Sequence, residues 1–210
     1  MPNWCDNRIR GYTDDVKEKD FFRNIIEDLT ETRTDSEGNK VSGIDLGILN
    51  PTPEILTKVH ASSPPYLVKD RETGEFVKQS IGSPELGDSK EERNAFYDTN
   101  THPKFEKVEI VEGTDIYKEL MDRYGHLSWY EWNVDNWGTK WNPTTELSNV
   151  YVDEYGFEIN VSSAWCPPEV LLQRLATKYD VSIENFYEIE GYGDEGVGKE
   201  YYEPNYLEEE

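Results

Sequence analysis

The stretch VYVDEYGFEINVSSAWCPPEVLLQRLATKYDVSIENFYEIEG, residues 150–191, decides the fold. Val150-Tyr151-Val152, a turn at Asp153 to Gly156, and the run Phe157 to Trp165 predict a hairpin. Phe157, Ile159, Val161, Ser163 and Trp165 alternate onto one face of its second strand. Pro167-Pro168 predicts a helix start, where a missing N–H does least harm. Leu172, Leu175, Ala176 and Tyr179 then form the buried stripe of that helix. Val181 to Gly191 predicts the next strand, and Tyr201-Tyr202 a last one.

Working outward, Trp4 to Tyr12 alternates as a strand, with Cys5, Asn7 and Ile9 on one face and Asp6, Arg8 and Arg10 on the other. Asn7 on the less charged face needs a hydrogen-bond partner. Thr13-Asp14-Asp15 predicts a helix start with carboxylates in the first turn, and Phe22, Ile25, Ile26 and Leu29 supply its apolar stripe. Residues 30–43 read as a polar loop or hairpin tip, and Ile44 to Leu49 as a second strand stopped by Asn50-Pro51-Thr52-Pro53. From Pro51 to Lys104 turn punctuation dominates, with a hairpin expected around Tyr66 to Val77. A short helix follows on Ile116, Leu120, Met121 and Tyr124, ended by Gly125. Strand, helix, strand, insertion, strand, helix, strand predicts an α+β fold. Its expected form is a ferredoxin-like split βαβ sandwich, an antiparallel sheet with two helices on one face, carrying a loop-rich insertion. The expected organisation is residues 1–57 and 146–191 as the two halves of that domain, 58–145 as the insertion with its Trp-rich segment, and 192–210 as an acidic tail.

The 210 residues carry a formal net charge of -23, with 13% aromatics, so a packed core is expected rather than a disordered acidic chain. Two cysteines, Cys5 and Cys166, do not make a disulfide framework. The N-terminal residues lack an apolar signal region, and no run is long enough to span a bilayer. A cytoplasmic location is therefore expected. The charge repels phosphate backbones and draws basic surfaces. It is uneven: residues 106–158 hold 12 acidic against 4 basic side chains, residues 184–210 hold 10 against 1, and residues 159–183 hold 2 of each. The C-terminal segment interleaves acids with aromatics. Glu188, Glu190, Asp194, Glu195, Glu200, Tyr201, Tyr202 and Glu203, with Tyr206 beyond, are the candidate partner-binding residues. Such a surface suits a basic protein, including the phosphate-binding cleft of a nucleic-acid enzyme. The bland reading of the same residues is a solvated face that keeps the chain soluble.

Other chemistry is sparse. Trp129, Trp132, Trp137 and Trp141 resemble a base-stacking platform, yet Lys140 is the only base beside Glu131 and Asp135, so core packing is the expected role. Cys166 stands at a helix start, where thiols are activated, but Pro167 and Pro168 remove the N–H groups responsible; His126 would approach only through the fold. His60, His102 and His126 have no paired spacing, and Asp153-Glu154 and Asp194-Glu195 lack a calcium-loop pattern. Gly191 to Gly198 is glycine-rich without the helix or Lys-Ser/Thr ending of a phosphate loop. No catalytic residue, metal or cofactor is expected.

Several stretches carry a resemblance. Pro2-Asn3-Trp4-Cys5-Asp6-Asn7-Arg8, Leu49-Asn50-Pro51-Thr52-Pro53-Glu54, Asn136-Trp137-Gly138-Thr139-Lys140-Trp141, Ser163-Ala164-Trp165-Cys166-Pro167-Pro168 and the run from Tyr187 are similar to those of the Api92-like proteins of phages and plasmids. The resemblance implies a ferredoxin-like domain and a mobile-element setting, and no activity. The resulting expectation is a non-enzymatic accessory protein that binds a basic host protein, in its sharpest form a nucleic-acid mimic against a defence nuclease, without binding nucleic acid itself. An enzyme with a site between sheet and insertion, and a structural phage component, remain the alternatives.

Overall fold

The computed structural model describes residues 3–15, 18–34, 38–78 and 102–205. They divide into two compact units, Met1–Pro51 with Asn133–Glu210, and Thr52–Trp132. The chain is mixed α/β with antiparallel sheets.

The first unit is built on a five-stranded sheet in the order β11-β10-β1-β9-β8. Its strands are β1 (Trp4–Tyr12), β8 (Val150–Val152), β9 (Gly156–Ala164), β10 (Ser182–Ile189) and β11 (Val197–Tyr202). β1 is central because both of its edges are paired over nearly its whole length. Its strict alternation puts Cys5, Asn7 and Ile9 inward, where Phe157, Ile159, Val161 and Ile183 join them from β9 and β10. Helices α1 (Phe21–Asp28) and α5 (Glu169–Tyr179) cover that face with Phe22, Ile25 and Ile26, and with Leu171, Leu172, Leu175 and Ala176. Phe22 and Phe157 meet edge to face at 6.2 Å between ring centroids. Burying a side chain such as Ile9 completely contributes roughly 2–3 kcal/mol, so this one face dominates the stability of the unit.

Asn7 finds the partners it requires. Its Nδ2 donates to the Cys5 carbonyl (2.8 Å), the Val161 carbonyl (3.3 Å) and Ser163 Oγ (2.9 Å), and its Oδ1 accepts from Asn185 Nδ2 (3.1 Å).

Three expectations are corrected. Helix α1 starts at Phe21 with Asp20 as its N-cap, because the Thr13 hydroxyl accepts from the Asp15 N–H and closes a local turn instead. Ile44–Leu49 is not a strand of the main sheet. Ile44 and Asp45 end β3 (Lys40–Asp45), which lies between β2 (Thr30–Thr34) and β7 (Thr144–Glu146) in a separate sheet. Leu46–Leu49 then forms a 3-10 turn, since the buried Asp45 carboxylate accepts from the Gly47 N–H at 2.8 Å. Trp165 does not continue the inward face of β9. It takes φ 74°, left-handed, and its N–H donates to the Asn3 carbonyl at 3.0 Å.

The second unit carries β4 (Tyr66–Asp70), β5 (Phe76–Val77) and β6 (Phe105–Glu109) in the order β5-β4-β6, around Tyr66, Val68 and Phe105. The hairpin read around Tyr66 to Val77 is β4–β5. Its helices are α2 (Glu54–Thr57) and α3 (Asp115–Tyr124), the latter closed by Gly125 at φ 70°. Helix α4 (Trp129–Trp137) runs across the division between the units at Trp132 and Asn133, with Trp132 and Trp137 buried. No helix among the described residues is long and apolar enough to cross a membrane.

Candidate functional site

The even-numbered residues of β1 point away from the face that α1 and α5 cover, onto the exposed side of the sheet. There a groove of about 1130 Å³ is floored by Asp6, Arg8, Asn160, Ser162, Phe186 and Glu188, and walled by Trp4, Trp141, Thr144 and Asn149 among others.

Strand register arranges charge along this face in two zones. At one end Arg10 and Arg8 stand opposite Glu184 and Phe186 on β10, and opposite Glu158 and Asn160 on β9. Arg10 Nε pairs with Glu158 at 2.8 Å and Lys199 pairs with Glu184. The bond from Lys199 holds the Glu184 carboxyl below its usual range, and the bond from Arg10 does the same for Glu158. Phe186 lies among three cations, with Lys199, Arg8 and Arg10 at 4.5, 4.7 and 5.6 Å from its ring centroid. This end is electrically compensated.

The other end is not. Asp6 on β1 is the direct cross-strand partner of Glu188 on β10, and both are exposed. Like charges placed opposite one another destabilise a sheet. Asp6 accepts a hydrogen bond from Ser162 Oγ at 2.6 Å, while the Glu188 carboxylate has no hydrogen bond or ion pair with another described side chain. The next step along the ladder brings Glu190, whose Oε2 accepts from the Trp4 N–H at 3.3 Å. Trp4 is 43% exposed and packs against Trp141 with ring centroids 5.6 Å apart. Lys140 Nζ lies 5.0 Å from the Trp141 ring and 5.4 Å from that of Trp165. Carboxylates and aromatic faces are the groups that attract cations.

The structure divides the eight sequence-derived candidates. Glu188 and Glu190 line the groove. Tyr201 is on the same face, opposite Glu184, with Lys199 Nζ 4.6 Å from its ring. Glu200 and Tyr202 point to the opposite face, because alternate residues of β11 face opposite ways. The Tyr202 hydroxyl donates to Glu200, and burial pushes that phenol well up. Glu203 is taken up locally: its carboxylate accepts from Ser182 Oγ at 2.6 Å and its carbonyl from Gln173 Nε2 at 2.7 Å. Asp194 and Glu195 are exposed in a 3-10 turn, Gly193–Gly196. Tyr206 lies outside the described residues. The residues that sequence reasoning missed here are Trp4, Asp6 and Trp141. The alternation of β1 did place Asp6 on its outer face, but nothing local joins it to Glu188.

The remaining candidates have structural employment. Cys166 Sγ donates to the Gly138 carbonyl at 3.0 Å, and burial, then Glu169, pushes its thiol up, away from the thiolate a nucleophile needs. His60, His102 and His126 belong to the second unit. Trp137 Nε1 donates to the Asn50 carbonyl at 2.6 Å. Asp153 closes the β8–β9 turn by accepting from the Tyr155 and Gly156 N–H groups at 2.8 and 3.1 Å. Gly191–Gly198 leads into β11 and not into a helix. Among the described residues no group of three or more His, Cys, Asp or Glu is arranged to hold a metal ion.

Residues 136–210 match the family model of the ferredoxin-like domain in Api92-like protein. This Api92-like stretch contains β8, β9, α5, β10 and β11, whereas the central strand β1 comes from residues 4–12, outside the match. Among solved structures, the crystal structure of a protein api92 from Yersinia pseudotuberculosis is similar over 97% of this chain and 95% of that one, at 12% identity and a TM-score of 0.37. Among curated proteins no relative matches the chain.

Proposed function

We propose that this chain is a non-enzymatic accessory protein of a phage or related element that works in the host cytosol and binds a basic host protein, docking a cationic segment of that partner at the acidic end of the sheet groove. The observation that carries the reading is the Asp6–Glu188 pair, two directly opposed carboxylates with no cation against them among the described residues. A face that keeps an unfavourable like-charge pair gains most from a ligand that neutralises it. The net charge of -23 adds long-range attraction for such a partner. A nucleic-acid-handling defence enzyme is the sharpest form of that partner. The separation of Glu200 and Tyr202 from Glu188 and Glu190 favours insertion of a local cationic segment over imitation of an extended phosphate ladder. The wiring supports a ferredoxin-like split βαβ as the frame: β1, α1, β8, β9, α5, β10 in chain order give β10-β1-β9-β8 in the sheet, with β8 in the place expected of Ile44–Leu49.

The test is a pull-down from host lysate with the wild-type chain and with the Asp6→Asn/Glu188→Gln double variant, followed by elution with salt and with duplex DNA. Basic proteins captured by the wild type, lost with the variant and displaced by DNA are the expected result. Captured proteins that are not basic, or that the double variant retains equally, refute it.

A further inference from the structure

We infer that the acidic end of the groove is a subsite for an arginine side chain of the partner, an assignment that rests on the function proposed above. Three features placed together by the sheet define it. Trp4, packed against Trp141 on one side, is exposed over 43% of its surface. The Glu190 carboxylate is fixed beside it by the Trp4 backbone N–H, and one step along the ladder Asp6 and Glu188 face each other. The third feature is the neighbouring aromatic corner, where the Lys140 ammonium already lies over the Trp141 and Trp165 rings, so this part of the surface holds a cation on indole faces in the structure itself.

Arginine fits this set better than lysine. A guanidinium is planar and stacks on an indole while its fork of N–H donors pairs with carboxylate oxygens in the same plane. An ammonium is a compact, strongly hydrated point charge that satisfies either the ring or the carboxylates, with less geometric gain. The compensated end of the same face, where Glu158 and Glu184 neutralise Arg10 and Lys199, offers no comparable pull for an anion of the partner. A second copy of this chain is disfavoured as the occupant, because two molecules at -23 repel one another.

The experiment is fluorescence anisotropy of the full chain with a labelled Gly/Ser peptide bearing arginines, alongside its lysine and citrulline counterparts. Arginine is expected to bind about tenfold tighter than lysine, and citrulline not to bind measurably. Trp4→Leu is expected to erase the arginine-over-lysine preference while leaving salt-sensitive binding, and Trp4→Tyr to restore it. The Trp4→Tyr arm also separates loss of the subsite from loss of folding. Equal binding of arginine and lysine peptides, unchanged by Trp4→Leu, overturns the subsite and leaves the proposed function standing. Failure of both cationic peptides to bind better than citrulline overturns both.

Discussion

Asp6 and Glu188 are direct cross-strand partners, two carboxylates held opposite one another on the open face of a sheet where Glu158 and Glu184 are paired with Arg10 and Lys199. Opposed like charges cost stability, so under the proposed function this pair sets binding against folding. Glu188→Gln is expected to stabilise the chain by up to about 0.5 kcal/mol at low ionic strength while weakening its hold on cationic partners. Urea titrations at low and high salt check it, since the gain must fade as salt screens the pair. A variant that is destabilised equally at both salt levels removes the idea. Asp6→Asn is expected to gain less, because the Asp6 carboxylate also anchors Ser162.

Beneath that face, Asn7 should matter more than Asn185. Truncating Asn7 removes three hydrogen bonds, to Ser163 Oγ and to the Cys5 and Val161 carbonyls, and leaves the buried Asn185 Nδ2 without its acceptor, so Asn7→Ala is expected to cost about 2 kcal/mol. Asn185→Ala removes one donor but also a buried acceptor, Oδ1, that has no partner among the described residues, so its cost is expected to be smaller. Denaturant midpoints rank the two, and the reverse ranking contradicts this account.

Gly11 leaves room for the Phe157 ring across the β1–β9 pair. A Cβ at residue 11 would overlap the Phe157 ring at Cζ. Gly11→Ala is therefore expected to destabilise by about 1–3 kcal/mol. Combining it with Phe157→Leu should return part of that loss, a non-additivity that a double-mutant cycle in thermal unfolding measures.

Alkaline pH should weaken the fold. Burial pushes the Cys5 thiol from its ordinary 9.0 up to about 11. The unfolded chain then loses this proton before the folded one does, so the contribution is complete below about pH 9 and is lost as pH rises through about 11. A shift of that size corresponds to about 2–3 kcal/mol. Tyr12, Tyr179 and Tyr202 are also raised, each first by burial, and act in the same direction. Cys5→Ala should flatten, without abolishing, the fall in stability across that window. An unchanged alkaline slope in the variant counts against it.

Much of the frame was legible because short-range periodicity carries it. The β1 alternation, the β8–β9 hairpin, the α5 stripe and the need of Asn7 for partners all follow from neighbours in the chain. Where local chemistry competed with periodicity, the reading went wrong. The Thr13 hydroxyl closed a turn ahead of the helix, and Asp45 captured the Gly47 N–H and turned Leu46–Leu49 out of the extended form.

The candidate site was legible only in part. Glu188 and Glu190 stood out as an acidic run, and Asp6 as an outward residue of β1. Yet Glu200 sits on the other side of the sheet and Asp6 on the same side. For β1, β8, β9 and β10 the sequence by itself determined that a strand forms and which way its residues point, because a period of two is a property of a few consecutive residues. Only the tertiary structure decided which strands are neighbours and in what register, since register between distant segments is set by the packing of whole faces. That decision placed Glu188 opposite Asp6, and so concentrated negative charge at one end of the sheet.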